Sequence, residues 1–316
     1  MIRLGAGVEF DRIRGVIRRL GLESGGIGSD CAHIPEGDRW LVLSCDMSLE
    51  EVHFRRDWLS FEEIGWRAAA AALSDLAAAG AEVTGLLASV AMPGDASSED
   101  LEQVMAGVGT AVDAVGGSVL GGDLARGRSW VVDITVVGRA ESALTRRGAR
   151  PGDRVWVTGT LGGSRAAVTA WNAGRTPPAE ARARFARPEP RIRAGRYLLR
   201  QGARAMMDLS DGLAGDARHL AAASEVALEI DLASLPLGPG VEAAAALERR
   251  PPAEFAAEGG EDYELLVAMP PGFDGSGFLH ETGIPLTAVG TVAAGSGVSL
   301  WLDGTRRTLS SYDHFR

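Results

Sequence analysis

The chain has 316 residues, 46% of them hydrophobic and 23% charged, which excludes wholesale disorder and leaves room for about two domains. A net charge of −10 excludes a general nucleic-acid binder, because phosphate-backbone binding needs a basic face. All 32 basic residues are arginine, which excludes Schiff-base enzymes, pyridoxal-phosphate enzymes and the lysine-bearing P-loop but leaves phosphate chemistry open to arginine, backbone amides and metals.

Residues 1–20 carry charges throughout and contain no continuous apolar segment, so no secretory signal is expected. Residues 40–45 form a short apolar run ending at Asp46 and read as a buried strand. Ser60 and Glu63 have the spacing of a capping box, and the alanine-rich run behind them stops at Gly80, which predicts a helix lined with small side chains. Residues 83–92 read as a strand closed by Pro93-Gly94; a second helix opens at Ser97-Ser98 and ends near Gly116-Gly117. The apolar stretch 68–92 is broken by Asp75, Gly80, Glu82 and Gly85, so no membrane span is expected and the cytoplasm is the default location.

Further strands are expected at 130–137 and 154–158. The segment 174–190 mixes Pro, Ala and Arg without a clear period and reads as an exposed connection. Beyond it lie a helix from Ile192, a turn at 208–212, a helix to Ser224 and strands at 226–230, 264–269 and 298–302, the last of these expected to close the fold. Strands and helices alternate throughout, which predicts an α/β or α+β architecture with a domain boundary near 139–150. Two cysteines, Cys31 and Cys45, are too few for a disulfide framework.

Glycine is over-represented, at 42 residues where an average composition gives about 22. Several glycines stand beside acids: Asp30 follows Gly28-Ser29, Asp123 follows Gly121-Gly122, and Glu261-Asp262 follows Gly259-Gly260. Asp46, Asp75, Asp208 and Asp211 sit at element ends or turns. Oxygen donors of this kind suit a hard cation such as Mg²⁺, which takes a few carboxylates and fills its remaining positions with water and substrate phosphates. Each acid taken alone is also an ordinary turn former or N-cap, and spacing does not show that they converge.

Together, the motifs Gly26-Ile27-Gly28-Ser29-Asp30-Cys31-Ala32, Val52-His53-Phe54, Ala72-Leu73-Ser74-Asp75-Leu76-Ala77 and Gly121-Gly122-Asp123 resemble the thiamine-monophosphate kinase family. The same holds for Arg146-Arg147-Gly148-Ala149-Arg150-Pro151-Gly152-Asp153, Asp208-Leu209-Ser210-Asp211-Gly212-Leu213, Gly259-Gly260-Glu261-Asp262-Tyr263-Glu264-Leu265 and the closing Tyr312-Asp313-His314-Phe315. The resemblance implies ATP- and Mg²⁺-dependent phosphorylation of thiamine monophosphate to thiamine diphosphate. It also implies an aminoimidazole-ribonucleotide-synthetase-like fold with domains at 1–140 and 141–316, and a homodimer built through the N-terminal sheets. By the family's pattern Asp30, Ser44, Cys45, Asp46, Asp75, Asp123, Asp208 and Asp211 would form the metal shell, with Asp30, Asp75 and Asp211 catalytic. Gly122, Asp123, Arg146 and Ser210 would meet ATP, and His53, Glu261 and Tyr312 the thiamine substrate. No nucleic-acid or membrane partner is implied.

Departures from the pattern are Ser29 for an acid, Cys45 for a hydroxyl residue, Glu51 for glycine, Leu124 for threonine and Met105 near a tyrosine position. Two other readings stay open at this level: another ATP-dependent synthetase of the same superfamily, and a degenerate nucleotide- or metal-binding protein without turnover. Tyr312 could instead bury its ring to anchor the chain end, and Glu261 could cap a turn. His33, His219 and His280 have no supporting pattern and read as structural.

Overall fold

Alternating burial along the strands builds two sheets, each backed by helices, in a computed structural model that describes residues 3–5, 7–20, 27–310 and 312. Gly26 of the first motif and Asp313-His314-Phe315 of the last lie outside the described residues. A helix α1 (Val8–Leu20) precedes the first sheet.

The first sheet holds β1 (Ala32–Glu36), β2 (Arg39–Leu49), β3 (Glu82–Met92), β4 (Ser118–Arg126) and β5 (Val131–Ala140) in the order β1-β2-β5-β3-β4. All pairs are antiparallel except β3 with β4. On β5 the side chains of Val132, Ile134 and Val136 are buried while their neighbours are half-exposed, the period of two that a sheet with one covered face requires. Helices α2 (Phe61–Ala78) and α3 (Ser98–Asp113) follow β2 and β3 in the chain. Both arms of the Ser60–Glu63 capping box form, as does a matching box between Ser97 and Asp100. Gly121-Gly122-Asp123 is not a turn but lies within β4, where register with β3 places Asp123 opposite Ser89.

The second sheet holds β6 (Arg154–Thr158), β7 (Ala205–Asp208), β8 (Ala227–Asp231), β9 (Leu265–Met269), β10 (Leu286–Ala293), β11 (Gly297–Leu302) and β12 (Thr305–Arg307), ordered β12-β11-β8-β10-β6-β9-β7. Every residue of β9 is buried, in keeping with its unbroken apolar sequence. Strand 297–302 is not the last: Asp303 and Gly304 both take positive φ, the backbone of a two-residue hairpin, and turn the chain back into β12. The helices of this half include α4 (Gly163–Asn172), α5 (Ala179–Ala186), α6 (Ile192–Arg200) and α7 (Leu213–Ser224).

The segment expected as an exposed connection contains α5, which buries Ala181, Phe185 and Ala186. Its apolar positions 181 and 185 make one short stripe inside a charged run, too brief to register as a period. Polar contacts fasten this segment to α2 of the other half: Arg182 grips Glu63 through Nη1 (2.7 Å) and Nη2 (2.8 Å), Arg187 meets Glu62 at 2.8 Å, and Trp66 Nε1 donates to Pro188 O at 2.8 Å. Among the described residues no helix is long and apolar enough to cross a membrane.

Helices α2 and α3 approach through glycine. A Cβ on Gly65 would lie 1.9 Å from Val104 O, and one on Gly107 would lie 1.9 Å from Glu62 O. We expect Gly107→Ala to cost about 1–3 kcal/mol of stability by forcing the helices apart, read as a lowered urea midpoint with unchanged slope.

Candidate active site

A cleft of about 1180 Å³ lies between the two halves. Its five aspartates reach it from different elements: Asp30 just before β1, Asp46 on β2, Asp75 on α2, Asp208 at the end of β7, and Asp211 in the loop before α7. Carboxylate oxygens of Asp30, Asp75 and Asp208 lie within 4.8 Å of one another. The pleat of β2 explains why alternate residues serve: Ser44 and Asp46 share the α2 side with buried Val42, whereas Cys45 and Met47 are exposed on the other face. Ser44 Oγ sits 2.5 Å from Asp75 Oδ2 and 3.0 Å from the Asp30 carbonyl. Cys31 donates its thiol to the Asp75 carbonyl at 3.2 Å. Arg146 sends Nε (2.9 Å) and Nη2 (2.5 Å) to Asp30 Oδ1.

The electrostatics are those of too many anions for the cations present. Burial, then the charges of Asp208, Asp30 and Asp46, push the Asp75 carboxyl well above its usual range. Burial and Asp30 push Asp208 up to about 7 even with Arg146 nearby. Asp216, on α7 behind the cluster, is also raised, by burial and then by Asp211 and Asp208; it accepts the Asp211 N–H at 3.2 Å. An oxygen-only donor set carrying surplus negative charge fits a hard divalent cation and would suit zinc or copper poorly.

The other end of the cleft is built differently. His53 lies in the turn after β2, and its Nδ1 accepts the Leu49 N–H at 3.1 Å, which leaves Nε2 to carry the proton of a neutral ring. Glu261 and Tyr263 both adopt positive φ (68° and 50°), a conformation that disfavours side chains. Hydrogen bonds over-determine that loop: Glu261 N to Ser210 O (2.7 Å), Tyr263 N to Leu209 O (2.9 Å) and Leu209 N to Glu264 O (2.8 Å). Glu264, fully buried, is gripped by Arg191, Arg184 and Thr158 and stays below its usual range although burial alone would raise it. Asp262 accepts the Gly162 N–H at the start of α4 (2.6 Å), and burial raises it to about 7. The C-terminal strap is pinned by Ser310 on Glu258 and by Tyr312 N on Asp211 O at 3.4 Å, which sets Tyr312 at the rim.

Thus Asp30, Ser44, Cys45, Asp46, His53, Asp75, Arg146, Asp208, Ser210, Asp211, Glu261 and Tyr312 all line one cleft. Gly122 and Asp123 do not. Strand β4 is exposed along its whole length, and Asp123 is the fourth member of a row Met47–Asp133–Ser89–Asp123 across the sheet, three strand spacings or about 14 Å from β2. Residues not anticipated from the sequence are Trp58 and Phe185, which line the cleft, and Arg67, buried behind it. The one signal for Arg67 was its position as a lone charge between Glu63 and Asp75 in an alanine-rich helix.

Residues 28–140 match the family model of the AIR synthase related protein N-terminal domain, and residues 150–303 that of its C-terminal domain. The chain is 36% identical to the thiamine-monophosphate kinase of Escherichia coli K12 over 320 residues, covering 97% of this chain and 95% of that protein. It is 34% identical to that of Aquifex aeolicus, covering 93% and 94%. The solved structure described as AaThiL complexed with AMPPCP and TMP superposes with a TM-score of 0.87 at 32% identity, covering 98% of this chain and 97% of that one.

An acid whose folded pKa lies near 7, against an ordinary 3.8, contributes stability that is complete below about pH 4 and is lost as pH rises through 7. Metal-free wild-type protein is therefore expected to lose stability relative to Asp208→Asn by about 1 kcal/mol per unit between pH 5 and 7. Added Mg²⁺ should raise the wild-type melting temperature more at pH 8 than at pH 5, because protons compete for the same oxygens. A pH-independent gap with no Mg²⁺ response at pH 8 would exclude the surplus-charge account.

Proposed function

Because the chain belongs to the AIR synthase related proteins and, within them, to the thiamine-monophosphate kinases, we propose how this cleft carries out the family's reaction. The enzyme is a thiamine-phosphate kinase: it transfers a phosphoryl group from ATP to thiamine monophosphate, giving thiamine diphosphate and ADP. Proximity of Asp30, Asp75 and Asp208 is the observation that carries the mechanistic proposal.

In this reading Asp30, Asp46, Asp75, Asp208 and Asp211 hold Mg²⁺, with Ser44 and the backbone at Cys45 completing the shell. Bound there, the metal supplies the positive charge that lets two phosphate chains approach. The acceptor is a phosphate oxygen whose second pKa is about 6, so it is largely ionised near neutrality and the site needs no general base. Asp30, Asp75 and Asp211 act by fixing the reacting groups in line. Arg146 and Ser210 would meet the ATP phosphates, Arg146 supplying positive charge in place of lysine while its Nε and Nη2 stay on Asp30. His53, Glu261 and Tyr312 hold the thiamine moiety, with Tyr312 offering a ring face to the thiazolium cation.

We further propose a homodimer, with domains at 1–140 and 141–316 and contact through the open face of the first sheet. Met47 (50% exposed) and Leu87 (40%) project from that face, and Leu120 (53%) is exposed on the bordering β4. An uncovered apolar surface of this kind is what a partner would bury. Gly122 and Asp123 would join the nucleotide site only in the pair. Two free thiols, Cys31 and Cys45, suit a cytoplasmic, reducing location.

Incubation with ATP, Mg²⁺ and thiamine monophosphate should yield thiamine diphosphate, and unphosphorylated thiamine should not substitute. Asp75→Asn should lower kcat on the order of 100-fold while the metal-free protein melts no lower than wild type, since a strained buried charge is removed. Full activity in that variant would refute the shared metal site. In sedimentation the protein should run at twice its 33.0 kDa chain mass. Leu87→Arg should run as a monomer and raise the KM for ATP, and an active monomer would sink the dimer proposal.

A further inference from the structure

Arg67 is 3% exposed, and no step of the phosphoryl transfer uses it. Its guanidinium nevertheless touches all three segments that wall the acceptor end of the cleft. Nε donates to the His53 carbonyl at 3.3 Å, Nη1 donates to the Phe185 carbonyl at 2.6 Å, and Nη2 contacts Glu261 Oε2. The Phe185 ring covers the guanidinium at 3.8 Å from its centroid, and Tyr263 lies at 5.8 Å. His53, Phe185, Glu261 and Tyr263 all line the cleft.

We propose that Arg67 is the positioning residue of the acceptor pocket: it fixes the side chain of Glu261 and the backbone of His53 so that the pocket is preformed for the cationic heterocycle of thiamine monophosphate. The inference rests on the kinase reading of the same cleft. A carboxylate lying against a buried guanidinium is drawn toward that charge, which leaves an oxygen to meet a ligand donor or positive charge. Arginine suits the task because a planar fork reaches several acceptors at fixed angles, which an ammonium on a flexible stem does not. The ring of Phe185 keeps water from competing for that fork.

Helix α2 gives the arrangement a second property. Arg67 and Asp75 are eight residues apart on one helix, about 12 Å along its axis, so the acceptor pocket and the carboxylate cluster are spaced by a single rigid element. A defect at Arg67 therefore loosens the acceptor end while leaving Asp75 in place on the helix, although the Arg67 charge also reaches Asp46.

The test is steady-state kinetics and calorimetric binding of thiamine monophosphate on wild type, Arg67→Met, Arg67→Lys, Glu261→Gln and the double variant Arg67→Met/Glu261→Gln. Arg67→Met is expected to raise the KM and Kd for thiamine monophosphate at least tenfold and to change the KM for ATP less than twofold. Arg67→Lys should fall between wild type and Arg67→Met, because it keeps the charge and loses the fork. The loss in the double variant should fall short of the sum of the two single losses, because Arg67 acts in part through Glu261. Should Arg67→Met not fold, the same split between the two KM values in Arg67→Lys decides the matter. Parallel rises in both KM values, or additive losses in the double variant, would overturn the role assigned to Arg67. Wild-type protein that neither binds nor phosphorylates thiamine monophosphate would overturn the kinase reading itself.

Discussion

Repulsion among Asp30, Asp75 and Asp208 is the constraint on which the rest of the structure turns. Three carboxylates whose oxygens come within 4.8 Å, two of them raised by burial and by one another, are a poor way to stabilise a fold. Arg146 is occupied by Asp30, and Asp75 is met by the hydroxyl of Ser44. Such a cluster makes sense where divalent cations and polyphosphates arrive together and each cancels the other's charge. Stability given up to that repulsion would be regained on binding, which couples ligand occupancy to stability.

That destabilising cluster is tolerated because helix α2 is clamped from both sides. Glycines at 65 and 107 let it touch α3 through backbone, and Gly195 of α6 approaches it so closely that a Cβ would lie 1.9 Å from Ala77 O. Salt bridges from Arg182 and Arg187 tie the second half of the molecule to Glu63 and Glu62 in the first turn of α2. Across the cleft, the buried Glu264–Arg191–Arg184 network anchors the loop that presents Glu261 in a left-handed conformation. Both walls thus rest on over-determined supports, and the α5 and α6 contacts on α2 leave little freedom for the halves to move as independent bodies.

Much of this was legible in the sequence, for identifiable reasons. The Ser60 cap, the alanine run and the stop at Gly80 are local signals, and the helix formed where they placed it. The apolar run read at 264–269 is likewise self-contained, and the strand occupies Leu265–Met269. What escaped was non-local. Helix α5 has two turns and a minimal stripe; its identity comes from contacts with α2 more than 100 residues away. Gly121-Gly122-Asp123 looks like a turn by composition, yet pairing with β3 makes it strand. Most cleft acids were recognisable as a set through the family pattern, but spacing could not say that Asp123 stands apart from them in one chain. Arg67 carried no motif, and only the fold reveals that three walls meet at its guanidinium.

The departures from the family pattern look less damaging in three dimensions than along the chain. Cys45 would be a poor ligand for a hard cation if its sulfur faced the cluster, but the pleat of β2 turns it to the exposed face and leaves Ser44 to approach Asp75. In the metal shell proposed above, a backbone carbonyl, which any residue supplies, is all that position 45 would contribute. Ser29 removes one negative charge from a neighbourhood that already has too many, and Asp30 beside it keeps its arginine. Leu124 is 57% exposed on the edge strand β4, opposite the buried Val90 of β3. Ser29 thus gives up a charge where the carboxylate cluster had charge to spare, and Cys45 stands where its side chain is turned away from that cluster.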